Sequence, residues 1–476
     1  MLKSLFGFLF IFNFLTSAAQ NPTIVKDKSY SGASQEINNT QKKIVAPKPP
    51  MGWNSWNNFG SSITEVEFKQ QADYIAANLK KYGYEYVVVD IAWYSMNASA
   101  EQDSKSYHFK IAKYDCNIDE YGRWLPAPNK WPNANGSFTF LADYLHKKGL
   151  KFGLHIQRGI PWQAVEKNLP IKGTKYRAKD IASGADMCEW YDASFGVDMN
   201  KAGAQEYYNS CYELYASWGV DFLKVDDISA PYRADEITGV RKAIEKTGRD
   251  MVLSLSPGST PTAARYHVAN NADMWRVSND FWDTWSQLKE QFKLAADWVK
   301  YKRNGAWPDL DMLPVGTIGT KCSDNGKGRK SNFTKDELYT LMSFWSIFQS
   351  PIMMGGELTT LSDFEKMILT NDEVLSVNQN SIHVERVVNS KVGWEWNPEL
   401  QVWKSDVQNS NQKNIGFFNL TDTSKTIEVS FADINIKGKF AVRDLWSKKD
   451  IGVFEEKFSV SVNAHGSGLY RFTPIE

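Results

Sequence analysis

The sequence predicts a chain of the α/β class: a (β/α)8, or TIM, barrel followed by a small C-terminal antiparallel β-sandwich. Three features lead there. A unit of amphipathic helix, glycine and apolar strand recurs without a fixed period; nearly every such strand ends in polar residues; and beyond about Asn378 the texture turns to short alternating segments. In the first unit, Thr64 and Glu67 form a capping box ahead of Phe68, Ala72, Ile75 and Leu79, which share one helix face. Gly83 ends that helix, and the strand Tyr84–Asp90 closes on an acid. The unit returns as Leu141–Lys148, Gly149 and Leu150–His155, and again as Glu206–Trp218, Gly219 and the strand to Asp226. A fourth copy is Val240–Thr247, Gly248 and Met251–Ser256. Each glycine suits the left-handed position that stops a helix. Each strand is apolar on both faces, as buried parallel strands are. Helix-to-strand links are short while strand-to-helix links vary widely, which fits a barrel with its site in the C-terminal loops. An open doubly wound sheet would yield similar units, but no Gly-rich phosphate fingerprint follows any strand. The barrel is expected over 48–378 and the sandwich over 379–476, from segments such as Ile415–Phe418, Thr426–Phe431, Phe440–Asp444, Phe458–Val462 and Gly468–Phe472. Packing on the barrel is the sandwich's expected task, with sugar binding a second reading.

The ends and the composition bound the function. The formal net charge of 0 over 476 residues points neither to nucleic acid nor to an anionic membrane surface. The 18 Trp and 21 Tyr serve a large core first, though flat aromatic faces also suit sugar CH surfaces. Lys3, the apolar run Leu5–Leu15 and Ser17-Ala18-Ala19 read as a secretory signal over 1–19, too short to span a membrane. Cleavage near Ala19 would export the chain to the periplasm or the medium, with a polar arm over 20–47. Cys116, Cys188, Cys211 and Cys322 permit disulfides in that compartment and match no zinc pattern. Cys211 sits in a helical pattern and could equally be a buried thiol. No cofactor and no metal site is expected, and a homo-oligomer is left open.

The chemistry lies at strand ends. Asp226, in Lys224-Val225-Asp226-Asp227, and Asp280, in Trp275-Arg276-Val277-Ser278-Asn279-Asp280, each follow an apolar segment and carry a cation close by. A pair of carboxylates, one ionised and one holding a proton, is what cleavage of a glycosidic bond requires. The plain alternative is that such acids cap the following helices. Asp227 rivals Asp226, but alternation places Asp226 on the same side as Lys224. A metal-dependent reading through Asp226, Asp227, Asp309 and Asp311 lacks histidines at ligand spacing.

With Met51-Gly52-Trp53-Asn54-Ser55-Trp56 added to these motifs, the chain resembles glycoside hydrolase family 27, which holds α-galactosidases, α-N-acetylgalactosaminidases and β-L-arabinopyranosidases. Further landmarks are Trp307-Pro308-Asp309-Leu310-Asp311-Met312-Leu313, Ser350-Pro351-Ile352-Met353-Met354 and Glu373–Gln379. The resemblance implies a retaining reaction on a terminal sugar of an oligo- or polysaccharide, with Asp226 as nucleophile and Asp280 as general acid/base. It likewise implies Trp56 as an aromatic wall and Asp90, Lys224 and Arg276 as hydroxyl ligands. Ile91 departs from the pattern: in the family's α-galactosidases this position is a second acid that holds the hydroxyl at carbon 6. An unpartnered buried hydroxyl costs on the order of 1–3 kcal/mol, so Ile91 favours β-L-arabinopyranose, which lacks that hydroxymethyl group. Ser254-Leu255-Ser256 departs at the segment facing carbon 2, and His155 stands where many galactosidases have Tyr. The alternatives are an α-galactosidase for galactosides modified at carbon 6 or carbon 2, and a retired barrel that only binds sugar.

Overall fold

The computed structural model describes residues 42–96, 115–188, 191, 193–321, 328–388 and 399–475. The expected signal segment, 1–19, and most of the expected arm, 20–47, lie outside these residues. Eight parallel strands form the first sheet: β1 (Met51–Asn54), β2 (Tyr86–Val89), β3 (Lys151–Gln157), β4 (Phe222–Asp226), β5 (Val252–Leu255), β6 (Met274–Arg276), β7 (Trp307–Asp309) and β8 (Ile352–Met354). They neighbour one another in chain order, and β8 returns to pair with β1. The ring closes just past β7, where Leu313 bridges Met354 in parallel and its N–H donates to Met353 O at 2.7 Å. The curled sheet is thus the expected barrel.

Each strand is followed by a helix: α1 (Glu65–Tyr74), α2 (Thr139–Lys147), α3 (Ala204–Ser217), α4 (Ala234–Thr247), α5 (Arg265–Asn271), α6 (Trp285–Trp298), α7 (Lys335–Phe348) and α8 (Asp363–Thr370). The Thr64–Glu67 capping box is formed in full at the start of α1. Gly83, Gly149, Gly219 and Gly248 all have positive φ, between 69° and 99°, and turn the chain from helix into strand. α4 begins at Ala234 rather than Val240, because Ile237 already joins its buried face.

Alternation along the strands sorts the barrel interior into two layers. Tyr86, Val88, Phe222, Val252, Met274, Trp307 and Met353 form an apolar cluster inside the N-terminal end. Two residues further along four of those strands, at the same phase, stand Asp90, Lys224, Ser254 and Arg276, all buried. The described end of the arm covers the apolar layer from below: Trp307 Nε1 donates to Ala46 O at 2.9 Å, and Lys42 pairs with buried Asp273 at 2.6 Å.

After a short α9 (Asp372–Asn380) the C-terminal unit begins. Its larger sheet holds β9 (Ser381–Val387), β10 (Leu400–Val407), β11 (Lys413–Asn419), β13 (Lys439–Asp444), β14 (Lys449–Glu455) and β16 (Ser467–Pro474). A smaller pair, β12 (Lys425–Ser430) and β15 (Lys457–Val462), packs across it. One face of β10 and β11 turns Val402, Ile415 and Phe417 toward this second sheet. The other face sends Trp403 and Phe418 into the barrel's core, where Phe344 of α7 meets both and Phe292 of α6 stacks on it at 3.7 Å. The joint is therefore apolar and continuous with the main core. Among the described residues no disulfide forms; Cys211 is a buried thiol on the inner face of α3, and burial pushes it up to about 12. Cys322 lies outside the described residues. No described helix is long and apolar enough to cross a membrane.

Candidate active site

The C-terminal end of β4 carries the first expected acid. Lys224 and Asp226 lie two apart on one strand and project to the same side. The neighbouring acid turns away: Asp227 has a φ of +58°, and its carboxylate meets Arg158 Nη2 at 2.9 Å. Arg158 also pairs with Asp186 and Glu236, and Tyr208 hydrogen-bonds Glu236 from below. Burial, and then the charge of Asp226, push the Asp227 carboxyl up to about 6 against the pull of Arg158. The Asp226–Asp227 rivalry is thus separated by backbone geometry. Arg158 braces both residues, since its N–H donates to Asp226 O at 3.1 Å and its Nε to Asp227 O at 2.5 Å.

Asp226 shares its surroundings with three strands. Ser256, just past β5, donates its hydroxyl to Asp226 Oδ1 at 3.2 Å, and the Asp227 N–H reaches the same oxygen at 3.2 Å. His155 of β3 places Nε2 3.1 Å from Asp226 Oδ2 and Nδ1 2.7 Å from Asp90 Oδ2. The Asp90 contact is close yet misses the angle of a hydrogen bond, so we treat it as an ion pair. Lys224 Nζ stands 3.9 Å from the same oxygen. Asp90 is anchored through its N–H to Ser55 Oγ and accepts from the Ile91 N–H at 2.8 Å. Burial alone would raise the Asp90 carboxyl, but His155 and then Lys224 outweigh it and hold it at about 2.

Asp280 stands at a wetter edge. Its side chain is 66% exposed, against 7% for Asp226, and Arg276 Nη1 contacts its Oδ1 at 3.2 Å. Arg276 is buried and fixed from behind by Asp311, whose Oδ2 lies 2.8 Å from Nη2 and also accepts the Phe281 N–H. Asp311 itself has a φ of +85°, and Trp345 Nε1 donates to its carbonyl at 3.0 Å. The segment beyond Asp280 is pinned as well: Asp283 takes a two-pronged contact from Arg329 and accepts the Asn332 N–H. Asp309 lies deeper, and burial followed by the Asp311 charge pushes it up to about 6.

Of the other expected residues, Trp56 opens the short helix after β1 and is half-buried. Ile91 is 3% exposed, yet it joins none of the three hydrophobic clusters of the described residues. Ile91 follows Asp90 directly in the chain, and its N–H donates to the Asp90 carboxylate at 2.8 Å. Sequence reasoning placed Ser256 only in the segment facing carbon 2, gave no role to Arg158, named Asp311 only as a landmark and in the metal reading, and left His155 open. The rule that residues i and i+2 share a strand face would have grouped Ser256 with Ser254, but the pairing of His155 with Lys224 needs the register between strands. Nothing local announces Arg158, whose partners come from three distant segments. Asp227 faces Arg158 and Asp311 faces Arg276, so two of the four acids of the metal reading already have cations. No group of three or more candidate metal ligands occurs among the described residues.

Comparison with known proteins extends this picture. A family model described as alpha galactosidase A matches residues 172–380, and one for the alpha galactosidase C-terminal beta sandwich domain matches 397–472. An α-galactosidase of Oryza sativa subsp. japonica is 27% identical over 90% of this chain and 85% of its own. The crystal structure of a GH27 β-L-arabinopyranosidase variant from Geobacillus stearothermophilus, in complex with arabinose, superposes with a TM-score of 0.85. It is 42% identical and covers 91% of this chain and 98% of that one. α-Galactosidase I of Mortierella vinacea, 23% identical over 90% of this chain and 97% of its own, shares the fold at a TM-score of 0.67.

Proposed function

We propose, for a chain that belongs to glycoside hydrolase family 27 and is a glycosidase by that membership, a secreted, retaining exo-enzyme that prefers terminal β-L-arabinopyranosyl residues. In this reading Asp226 attacks the anomeric carbon while Asp280 protonates the departing oxygen. Asp280 then takes a proton from the water that cleaves the glycosyl-enzyme. The two acids are suited to different tasks by their surroundings. Asp226 is buried, and the Ser256 hydroxyl and the Asp227 N–H, both donating to its Oδ1, aim it. Asp280 is open to solvent, where it can exchange protons with water between half-reactions. In this reading Lys224 and Arg276, buried at the same strand phase, bind ring hydroxyls together with Asp90, and Trp56 is the aromatic wall. Export follows from the signal read at 1–19.

The observation that carries the substrate preference is Ile91, a buried apolar residue directly after Asp90, read here as the wall facing carbon 6. It leaves the hydroxymethyl group of galactose without a partner, while a pentopyranose of the same ring configuration leaves nothing unsatisfied. The arabinose bound by the Geobacillus stearothermophilus protein agrees with this choice. Turnover of p-nitrophenyl β-L-arabinopyranoside and α-D-galactopyranoside decides the matter. The expected kcat/KM ratio is at least about 10 in favour of the arabinoside, and NMR should show the first-formed sugar with the substrate's anomeric configuration. A preference for the galactoside would overturn the substrate, and an inverted product would overturn the mechanism.

A further inference from the structure

His155 sits where the barrel gathers its charges, and nothing in the two-acid scheme employs it. It comes from β3, in register with Lys224 of β4, and its backbone is tied by Trp93 Nε1, which donates to His155 O at 2.9 Å. The groups facing its ring are Asp90 beyond β2, Lys224 and Asp226 of β4, and Ser256 beyond β5. Both ring nitrogens lie at ion-pair distance from carboxylates: Nδ1 is 2.7 Å from Asp90 Oδ2 and Nε2 is 3.1 Å from Asp226 Oδ2. A neutral imidazole has one N–H, so at one of these contacts it would press a lone pair against an anion. Ser256 relieves neither contact, because its hydroxyl is directed to Asp226 Oδ1 at 3.2 Å and stands 3.5 Å from Nε2. Only the doubly protonated ring satisfies both neighbours.

We propose that His155 acts as an imidazolium bridge between Asp90 and Asp226, and that its charge is needed chiefly to release the sugar from Asp226. The inference rests on Asp226 being the nucleophile of a retaining reaction. In the first half-reaction the Asp226 oxygen bonds to the anomeric carbon, the aglycone oxygen leaves with the bonding pair, and Asp280 gives it a proton. Asp226 loses its negative charge in this step, so an adjacent cation offers it no help. In the second half-reaction water adds to the anomeric carbon, Asp280 accepts the water's proton, and the pair of the carbon–Asp226 bond returns to the carboxylate. That returning charge develops beside Nε2, where a fixed cation stabilises it. His155 neither gains nor loses a proton over the cycle. Desolvation pulls its pKa down, but Asp90 outweighs Lys224 and, with Asp226, leaves it above the ordinary histidine value. The charged form therefore persists to higher pH than in a free histidine and is lost only as pH rises through the raised value.

A substrate with an activated leaving group isolates the step. Dinitrophenolate departs without a proton from Asp280, so kcat for 2,4-dinitrophenyl β-L-arabinopyranoside reports deglycosylation. Asp280 acts there as a base, in its ionised form, so an alkaline limb reports His155. The wild-type kcat should fall above neutral pH, and H155Q, which keeps a donor but cannot carry charge, should lose that limb. At pH 6 its kcat should drop about 10- to 100-fold, the worth of one charged donor. KM should drop with it, kcat/KM should change far less, and intact-mass spectrometry should show a larger share of glycosyl-enzyme. An alkaline limb unchanged in H155Q would overturn the proposal, because Lys224 is still present there. So would equal losses in kcat and kcat/KM without extra adduct. A thermal melt checks folding, and H155Y, also uncharged, gives the same reading should H155Q not fold. Failure of the underlying reading looks different: D226N would turn over the dinitrophenyl glycoside, or no adduct would form in any variant.

Discussion

The two ends of the barrel interior are built by the same strands and differ by two residues of sequence. At the N-terminal end Phe222 packs its ring 5.4 Å from Tyr86, inside a cluster with Val88, Val252, Met274, Trp307 and Met353. Two and four residues later, on the same strand face, stand Lys224 and Asp226. The first layer removes apolar surface from water. The second buries charges that each face a partner: Asp90 with His155 and Lys224, and Arg276 with Asp311. Stability and chemistry are thus separated along the barrel axis, as in other (β/α)8 enzymes. Substitutions on one strand should separate them too.

The sharpest break is on β4. Asp226→Asn should lower kcat about 10⁴-fold or more, the scale for losing a nucleophile, while the melting temperature stays the same or rises. Phe222→Ala, two turns of the pleat away, should cost about 3–5 kcal/mol of stability through lost burial and a cavity. Its kcat per folded molecule should stay within a few-fold of wild type. Denaturant titration and active-site-normalised kinetics read both quantities on the same pair. If Phe222→Ala lost activity without losing stability, the division between the layers would be wrong.

Ile91→Asp tests the wall of the polar layer. A carboxylate there can accept the hydroxyl at carbon 6, and the kcat/KM ratio of galactoside to arabinoside should rise about 10- to 100-fold. The gain should come mostly from the galactoside. A fall in both activities with an unchanged ratio would show that Ile91 is packing rather than specificity.

Local signals carried the frame of this molecule, and long-range registry carried the site. Gly83, Gly149, Gly219 and Gly248 end their helices as their positions implied, because the left-handed turn is a one-residue property. The Thr64–Glu67 box formed for the same reason. The strands Ser381–Val387, Leu400–Val407 and Lys449–Glu455 were not legible: the first carries several polar residues and the last is an exposed edge, so neither gives clean alternation. The small sheet of Ile160–Pro161, Ala182–Met187 and Ser194–Val197, inserted after β3, was missed because its strands are short and its register shifts. It matters to the site, since it brings Asp186 to Arg158. Asp226 and Lys224 were readable from strand alternation. The partners of Asp226 were not, because Ser256 and His155 reach it only once β3, β4 and β5 are aligned.

Asp309 gives the smallest and most pH-specific test of the contrast. It lies on β7, two residues past Trp307, in the inward phase that changes from apolar to charged. Burial and the neighbouring Asp311 push it up to about 6 against an ordinary 3.8, so its ionised form is disfavoured in the folded chain. With a folded-state pKa above the unfolded one, the folded state holds the extra proton between those values, and stability falls as pH rises through the window. At pH 7 the native protein bears that cost in full. Asp309→Asn keeps the shape and an oxygen to accept the Asp311 N–H, which Asp309 now does at 2.9 Å. The variant should therefore be more stable at pH 7, by on the order of 1–2 kcal/mol, and the advantage should shrink to nothing near pH 4. Urea denaturation of both proteins at the two pH values measures it. A variant less stable at pH 7 would mean that ionised Asp309 holds Arg276 and Lys224 in place, so that this buried charge of the polar layer is structural.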